Sequence, residues 1–241
     1  MKVDDSLIGI VGIQGIYDTT FTSTAYVEIE DQKFINDTTE VYEFVEYHNM
    51  GTVNVSYSYF TNEESGFYMH AYKYVGVATP KKSDFLIEFN GHKFSSPGEL
   101  IDFISRLMTN NAFVKSNADT LYPPDTAFRI ESPPVDNLSY PLSVGSEWIY
   151  RETSGVGEIH RKIVSTAPVN TPAGTFTCYK IQLIHLSPDM AGMFEMYDYI
   201  CGMGLIKRTF TDSITFTDHE GNIIGTGTIN VDLSLTDYYV Q

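Results

Sequence analysis

The clearest pattern along this chain is strict alternation of apolar and polar residues. Val53, Val55, Tyr57 and Tyr59 alternate with Asn54, Ser56 and Ser58, and Ile229, Val231, Leu233 and Leu235 alternate with Asn230, Asp232 and Ser234. Ile214 and Phe216 stand in the same relation to Thr215 and Thr217. A period of two sends successive side chains to opposite faces of a strand. These segments therefore read as strands with one face on a core and one in water, the habit of antiparallel sheets. Glu220-Gly221-Asn222 and His48-Asn49-Met50-Gly51 separate such runs and supply turn chemistry for hairpins.

The period changes once. Ser96-Pro97-Gly98-Glu99 reads as a helix start, with Ser96 as cap, Pro97 at the first helical position and Glu99 able to reach back. Leu100, Ile101, Ile104, Leu107 and Met108 then fall on one face at helical spacing. The spacing predicts one substantial helix over residues 97–109, its apolar stripe laid on an open sheet face. Five of the 10 prolines lie between Pro123 and Pro141, so residues 121–139 read as an extended connection between strand-rich halves, 1–120 and 140–241. The expectation is a single domain over 1–241, with a two-domain split at the connection as the alternative.

Composition supports sheet. Of the 241 residues, 42% are hydrophobic and only 19% charged, with 17 Tyr and 15 Phe to fill a pleated, half-buried surface. A formal charge of −16 repels phosphate backbones and anionic lipid headgroups, which argues against nucleic acid and direct lipid-surface partners. The apolar stretch Leu7 to Ile16 is about half the length of a membrane-spanning helix and is broken by glycine, so no transmembrane segment is expected. Asp4 and Asp5 follow Met1-Lys2 too closely for a signal peptide. The protein is then cytoplasmic, or exported with its leader absent from this sequence.

The two cysteines bear on that choice. If residues 175–184 and 194–201 form a hairpin, Leu183 opposite Met196 and Cys178 opposite Cys201 share the index sum 379. Cross-strand neighbours come close enough for a disulfide, so a Cys178–Cys201 bridge is expected, and with it an oxidising compartment. The competing reading is two small buried thiols.

The same region holds further order. Gly145 permits a turn before Trp148 and Tyr150, which share a strand face. Pro172-Ala173-Gly174 makes a tight connection before Phe176, and Gly202 and Gly204 flank Met203 as at a bulge. Pro141, Leu142, Gly145, Trp148 and Tyr150, then Val169, Thr171 to Phe176 and Cys178 to Ile181, then Gly202 and Gly204 to Lys207 form three spaced motifs. In these the chain resembles a loosely defined group of bacterial cell-envelope proteins, lipoproteins or proteins of uncharacterised role, with the pattern W-x-Y, T-P-A-G-T-F, G-x-G-L-I-K. The resemblance implies export and a mainly β fold, a strongly curved antiparallel sheet like the half-barrel of the lipoprotein localisation factors, with a helix near its concave side. It implies no activity and no catalytic residues.

Searching for chemistry directly yields little. Histidines at 48, 70, 92, 160, 185 and 219 stand singly, with neither helical zinc spacing nor a cysteine nearby, so no metal site is expected. There is no nucleophile elbow, phosphate loop or dinucleotide fingerprint, and no cofactor is implied. Acidic pairs such as Glu43 with Glu46, Glu28 with Glu30 and Glu195 with Asp198 could serve a glycosidase, but solvated strand faces explain them as well. The turn Asp218 to Asn222 offers oxygen ligands without the spaced acidic series of a calcium loop. The aromatic surplus is the remaining hint. Trp148, Tyr150, Phe176, Met193 and Met196 are the candidate ligand-binding residues, since aromatic and Met side chains suit an adaptable apolar pocket as well as a core.

These observations lead to an expectation of a non-catalytic exported protein, binding an apolar small molecule, an acyl chain or a protein partner on a curved sheet. The alternatives are an extracellular interaction module without a pocket and, last, an acid–base hydrolase.

Overall fold

The computed structural model describes residues 2–12, 17–35, 38–49, 53–75, 86–89, 92–95, 99–100, 128–153, 157–186 and 194–238. Within them the chain is mainly β and its strands pair antiparallel. The strands are β1 (Lys2–Gly12), β2 (Tyr17–Ile35), β3 (Thr39–Asn49), β4 (Val53–Asn62), β5 (Gly66–Val75), β6 (Leu86–Phe89) and β7 (His92–Phe94). They continue as β8 (Arg129–Ser139), β9 (Glu147–Thr153), β10 (Gly157–Thr171), β11 (Gly174–His185), β12 (Phe194–Cys201), β13 (Gly204–Thr217) and β14 (Ile223–Ser234).

One sheet takes strands from both halves of the chain, in the order β8-β5-β4-β3-β2-β1-β14-β13-β12-β11-β10-β9, with the β6–β7 hairpin paired to β13. Most steps are hairpins. The exceptions are β5 with β8 and β1 with β14; in the latter Ile8 pairs with Val231 and Ile10 with Ile229. The stretch read as a Pro-rich connection supplies β8, which among the described residues pairs only with β5. Pro133 and Pro134 are exposed where the β5–β8 register shifts, between Met69 and Ala71. Proline has no N–H to give a ladder, so it is tolerated at a sheet's edge and at bulges.

The alternating runs form the strands their period predicts. Ile229, Val231, Leu233 and Leu235 are buried while Asn230 is exposed. On β4, however, the one-sided reading fails. Ser56 is buried, as is Phe60 further along the same face, while Tyr59 is buried on the other, so that strand is covered on both sides. Alternation reports which residues are apolar, whereas a small Ser can be buried without changing the pattern.

Of the expected helix only Glu99 and Leu100 are described, and both are helical; the remainder lies outside the described residues. The Glu99 carboxylate accepts from the Ser95 backbone N–H at 2.6 Å and from Ser95 Oγ, so it reaches back as a capping residue does, but to the residue before Ser96. Leu100 is fully buried in a cluster with Ile87, Phe89, Phe94, Phe210 and Phe216.

The two ends of the strand order lie against each other. Phe60, Met69, Tyr72 and Val135, from β4, β5 and β8, form one buried cluster with Tyr150 and Ile159 of β9 and β10. Leu138 of β8 packs with Trp148, Ile163, Ile181 and Ile200. Trp148 Nε1 donates to the Asp136 carbonyl at 3.0 Å, and Arg151 Nη2 donates to Glu131 Oε1 at 2.7 Å. Side chains, not ladder hydrogen bonds, make this seam between β8 and β9 among the described residues.

Candidate functional site

Register carries two rows of side chains across one face of the C-terminal strands. Ile163, Ile181, Asp198, Arg208 and Leu233 face one another in turn from β10 to β14. Arg161, Leu183, Met196, Phe210 and Val231 form the neighbouring row, and Trp148 of β9 stands opposite Arg161. Within these two rows of otherwise apolar side chains, Arg161, Asp198 and Arg208 are buried charges, exposed by 1%, 4% and 7%.

They are held to one another. Arg208 meets Asp198 as a fork, Nε to Oδ1 at 2.5 Å and Nη2 to Oδ2 at 2.7 Å, the geometry a planar guanidinium offers a carboxylate. Arg161 Nη2 donates to the same Oδ2 at 3.2 Å and Nη1 to the Asn137 carbonyl at 2.8 Å, tying the triad to β8. The Arg161 guanidinium lies over the Tyr150 ring, 4.5 Å from its centroid. Burial pushes the Asp198 carboxyl up, but the charge and hydrogen bonds of Arg208, with the charge of Arg161, outweigh it and hold the group below its ordinary range. Tyr150 moves the other way. Its fully buried phenol is raised by desolvation against the pull of Arg151, Arg161 and Arg208.

The network is incompletely satisfied. Tyr150 Oη, Arg161 Nε, Asp136 Oδ1 and Asn137 Oδ1 are buried and make no hydrogen bond among the described residues. Buried polar atoms are rarely left so, and each such atom asks for a partner. Asp136 is half-buried, and desolvation raises its carboxyl despite the nearby Arg161.

The candidate ligand-binding residues divide. Trp148, Tyr150 and Met196 are buried on the face that carries the triad, each within a packed cluster. Phe176 pairs with Val169, on the opposite face of β11 from Ile181, and its ring lies 6.0 Å from that of Tyr238. Met193 falls outside the described residues.

The cysteine bridge is a correction. The hairpin has the expected register, Tyr179 opposite Ile200 and Leu183 opposite Met196, yet both cysteines are free thiols. The β11–β12 ladder stops one pair short of them; Cys178 pairs with Ala167 and Cys201 with Gly204 at the next turn. Burial, reinforced by the neighbouring Cys201, pushes the Cys178 thiol up to about 11. Because the thiolate is the nucleophile, Cys201 should react with a thiol-exchange reagent roughly tenfold or more faster than Cys178 in the folded protein. Peptide mapping after partial labelling checks this; equal labelling would contradict the burial difference.

The acidic candidates whose side chains are described do not converge. Glu43 is buried with its carboxylate engaged by Lys33 and by Tyr59 Oη, the latter at 2.7 Å. Glu195 is exposed while Asp198 is buried on the other face of β12. The side chains of Glu28, Glu30 and Glu46 are outside the described residues. In the Asp218 turn the carboxylate accepts from the Glu220 and Asn222 backbones and from Asn222 Nδ2, so its oxygens serve the turn itself. No group of three or more His, Cys, Asp or Glu among the described residues could hold a metal ion.

No family model, curated protein or solved structure matches this chain. Its function must be argued from the site alone. No sequence motif contains Arg161 or Arg208, and Asp198 stands out in the sequence only as half of an acidic pair with Glu195. A signal was nevertheless present, because each stands where its strand's period calls for an apolar residue, Arg161 between Ile159 and Ile163, Asp198 between Met196 and Ile200, and Arg208 between Ile206 and Phe210.

Proposed function

We propose that this chain is a non-catalytic exported protein of the cell-envelope kind, whose sheet binds an apolar ligand such as an acyl chain. In this reading the sheet is strongly curved, half-barrel-like, with the helix of residues 97–109 near its concave side. The observation that carries it is the meeting of the two ends of the strand order through apolar side chains of a common face, Phe60, Met69, Tyr72 and Val135 against Tyr150 and Ile159. A sheet whose ends meet encloses one face, and enclosed faces of β folds are where apolar ligands are carried. The three motifs from Pro141 to Lys207 support the envelope assignment. The free thiols withdraw the support that a disulfide would have lent to an oxidising compartment.

Native mass spectrometry of freshly purified protein tests the reading. A co-purifying adduct of lipid mass, removed by organic extraction, is expected; bare protein that also fails to take up an added fatty acid would overturn it.

A second reading, an interaction module without a pocket, draws on large apolar side chains left in solvent. Ile29 and Phe34 of β2 are exposed by 58% and 67%. Surface patches of this kind mark protein contacts when contiguous. The hydrolase reading is the weakest, since a general acid needs a raised carboxyl facing a second carboxylate, and Glu195 and Asp198, the named pair that is fully described, lie on opposite faces of β12.

A further inference from the structure

We propose that Arg161 and the Tyr150 hydroxyl form a buried anchor for the carboxylate head group of an amphipathic acyl ligand. This rests on the apolar-carrier reading and specifies which end of the ligand the interior recognises.

The argument begins with the cost of the cluster. Charges removed from water are expensive, and a buried ion triad is seldom a source of net stability compared with apolar side chains of the same volume. Here two guanidinium groups share one fully buried carboxylate, Asp198. Asp136, only half-buried, is the other carboxylate whose charge couples to Arg161. Arg161 spends Nη1 on a backbone carbonyl and Nη2 on Asp198, leaving the third edge of its donor fork, Nε, unengaged. Tyr150 Oη is likewise unengaged, although the residue is 3% exposed and its ring is stacked on that guanidinium. Two buried donors without acceptors, one of them on a guanidinium, describe the complement of an anion. A carboxylate fits best, because it is planar, accepts from several donors at once and can carry an alkyl chain.

The surroundings suit the rest of such a molecule. Trp148, Ile163, Ile181, Leu183 and Met196 occupy the same two rows as the triad and are the apolar neighbours an alkyl chain would meet on the β9–β12 side of the anchor. The competing explanation is a buried water joining Tyr150 Oη and Arg161 Nε to the unsatisfied oxygens of Asp136 and Asn137, since buried waters take about three such partners.

Calorimetric titration of the full chain with dodecanoate and with dodecanol separates these. Dodecanoate is expected to bind at least roughly tenfold tighter than dodecanol, as charge-assisted hydrogen bonds require. Tyr150→Phe keeps the ring and removes only the hydroxyl; it should weaken dodecanoate about tenfold, leave dodecanol unchanged and leave the protein folded. Arg161→Gln should abolish the discrimination. Equal affinity of the two ligands, or a preference for dodecanoate that survives Tyr150→Phe, would overturn the anchor while leaving the apolar carrier standing. Failure of both ligands to bind would overturn both.

Discussion

Asp198→Ala is expected to destabilise the protein by about 3–5 kcal/mol, measured as a fall in the denaturant midpoint at unchanged slope. The substitution removes little volume, but it takes the shared carboxylate from two buried guanidinium groups in a face packed with Ile, Leu, Met and Phe. An arginine cannot shed its proton to relieve the cost. Asp198→Asn should fall between, because the amide can still accept but no longer balances charge. Replacing the whole triad by apolar residues of matched volume should restore most of the loss, as removing both partners avoids the unpaired charge. The pH dependence follows from the direction of the carboxyl's shift. A group held below its ordinary range contributes stability above its unfolded value, near 3.9. That contribution is lost as pH falls through the lower, folded value. Wild type should therefore lose stability more steeply than Asp198→Asn below about pH 4.

Trp148→Ala should be comparably severe, about 3–5 kcal/mol, for a different reason. Its indole is 9% exposed, packs with Leu138, Ile163, Ile181 and Ile200, and gives the seam its hydrogen bond to the Asp136 carbonyl. Trp148→Phe separates the two contributions, keeping most of the packing while losing the donor, and should cost about 1–2 kcal/mol. A double-mutant cycle with Leu138→Ala measures the coupling across the seam, and near-additive losses would show that β8 and β9 do not depend on each other.

How far the fold could be read from sequence differs by level. Strands were legible wherever one face is apolar and the other polar, as in Ile229 to Leu235, because burial there follows the two-residue period. Hairpin register was legible too, since Tyr179 with Ile200 and Leu183 with Met196 follow once the connecting loop is placed. What the pattern concealed was depth. Ser56 lies inside a face it nominally marks as wet, and β8 hides in a proline-rich stretch that lacks alternation. The bridge failed for a similar reason, because an index sum locates a pair without saying where the ladder ends. Of the site, Trp148, Tyr150 and Met196 were found through their size. The triad was missed because charged residues are read by habit as solvent-facing, and only their parity with Ile, Met and Phe neighbours betrays them.

The pairing of β1 with β14 also governs when the sheet can be assembled. Ribosomal synthesis delivers β1 first and β14 last of these strands, with every other strand between them. Until β14 emerges, β1 and β13 each present a row of unmet backbone donors and acceptors, a template for pairing with another nascent chain. Contacts so distant along the polypeptide also make for slow folding. The acidic character of the chain, −16 in formal charge, then serves it early as well as late, since mutual repulsion keeps half-made copies apart while the final strand is awaited.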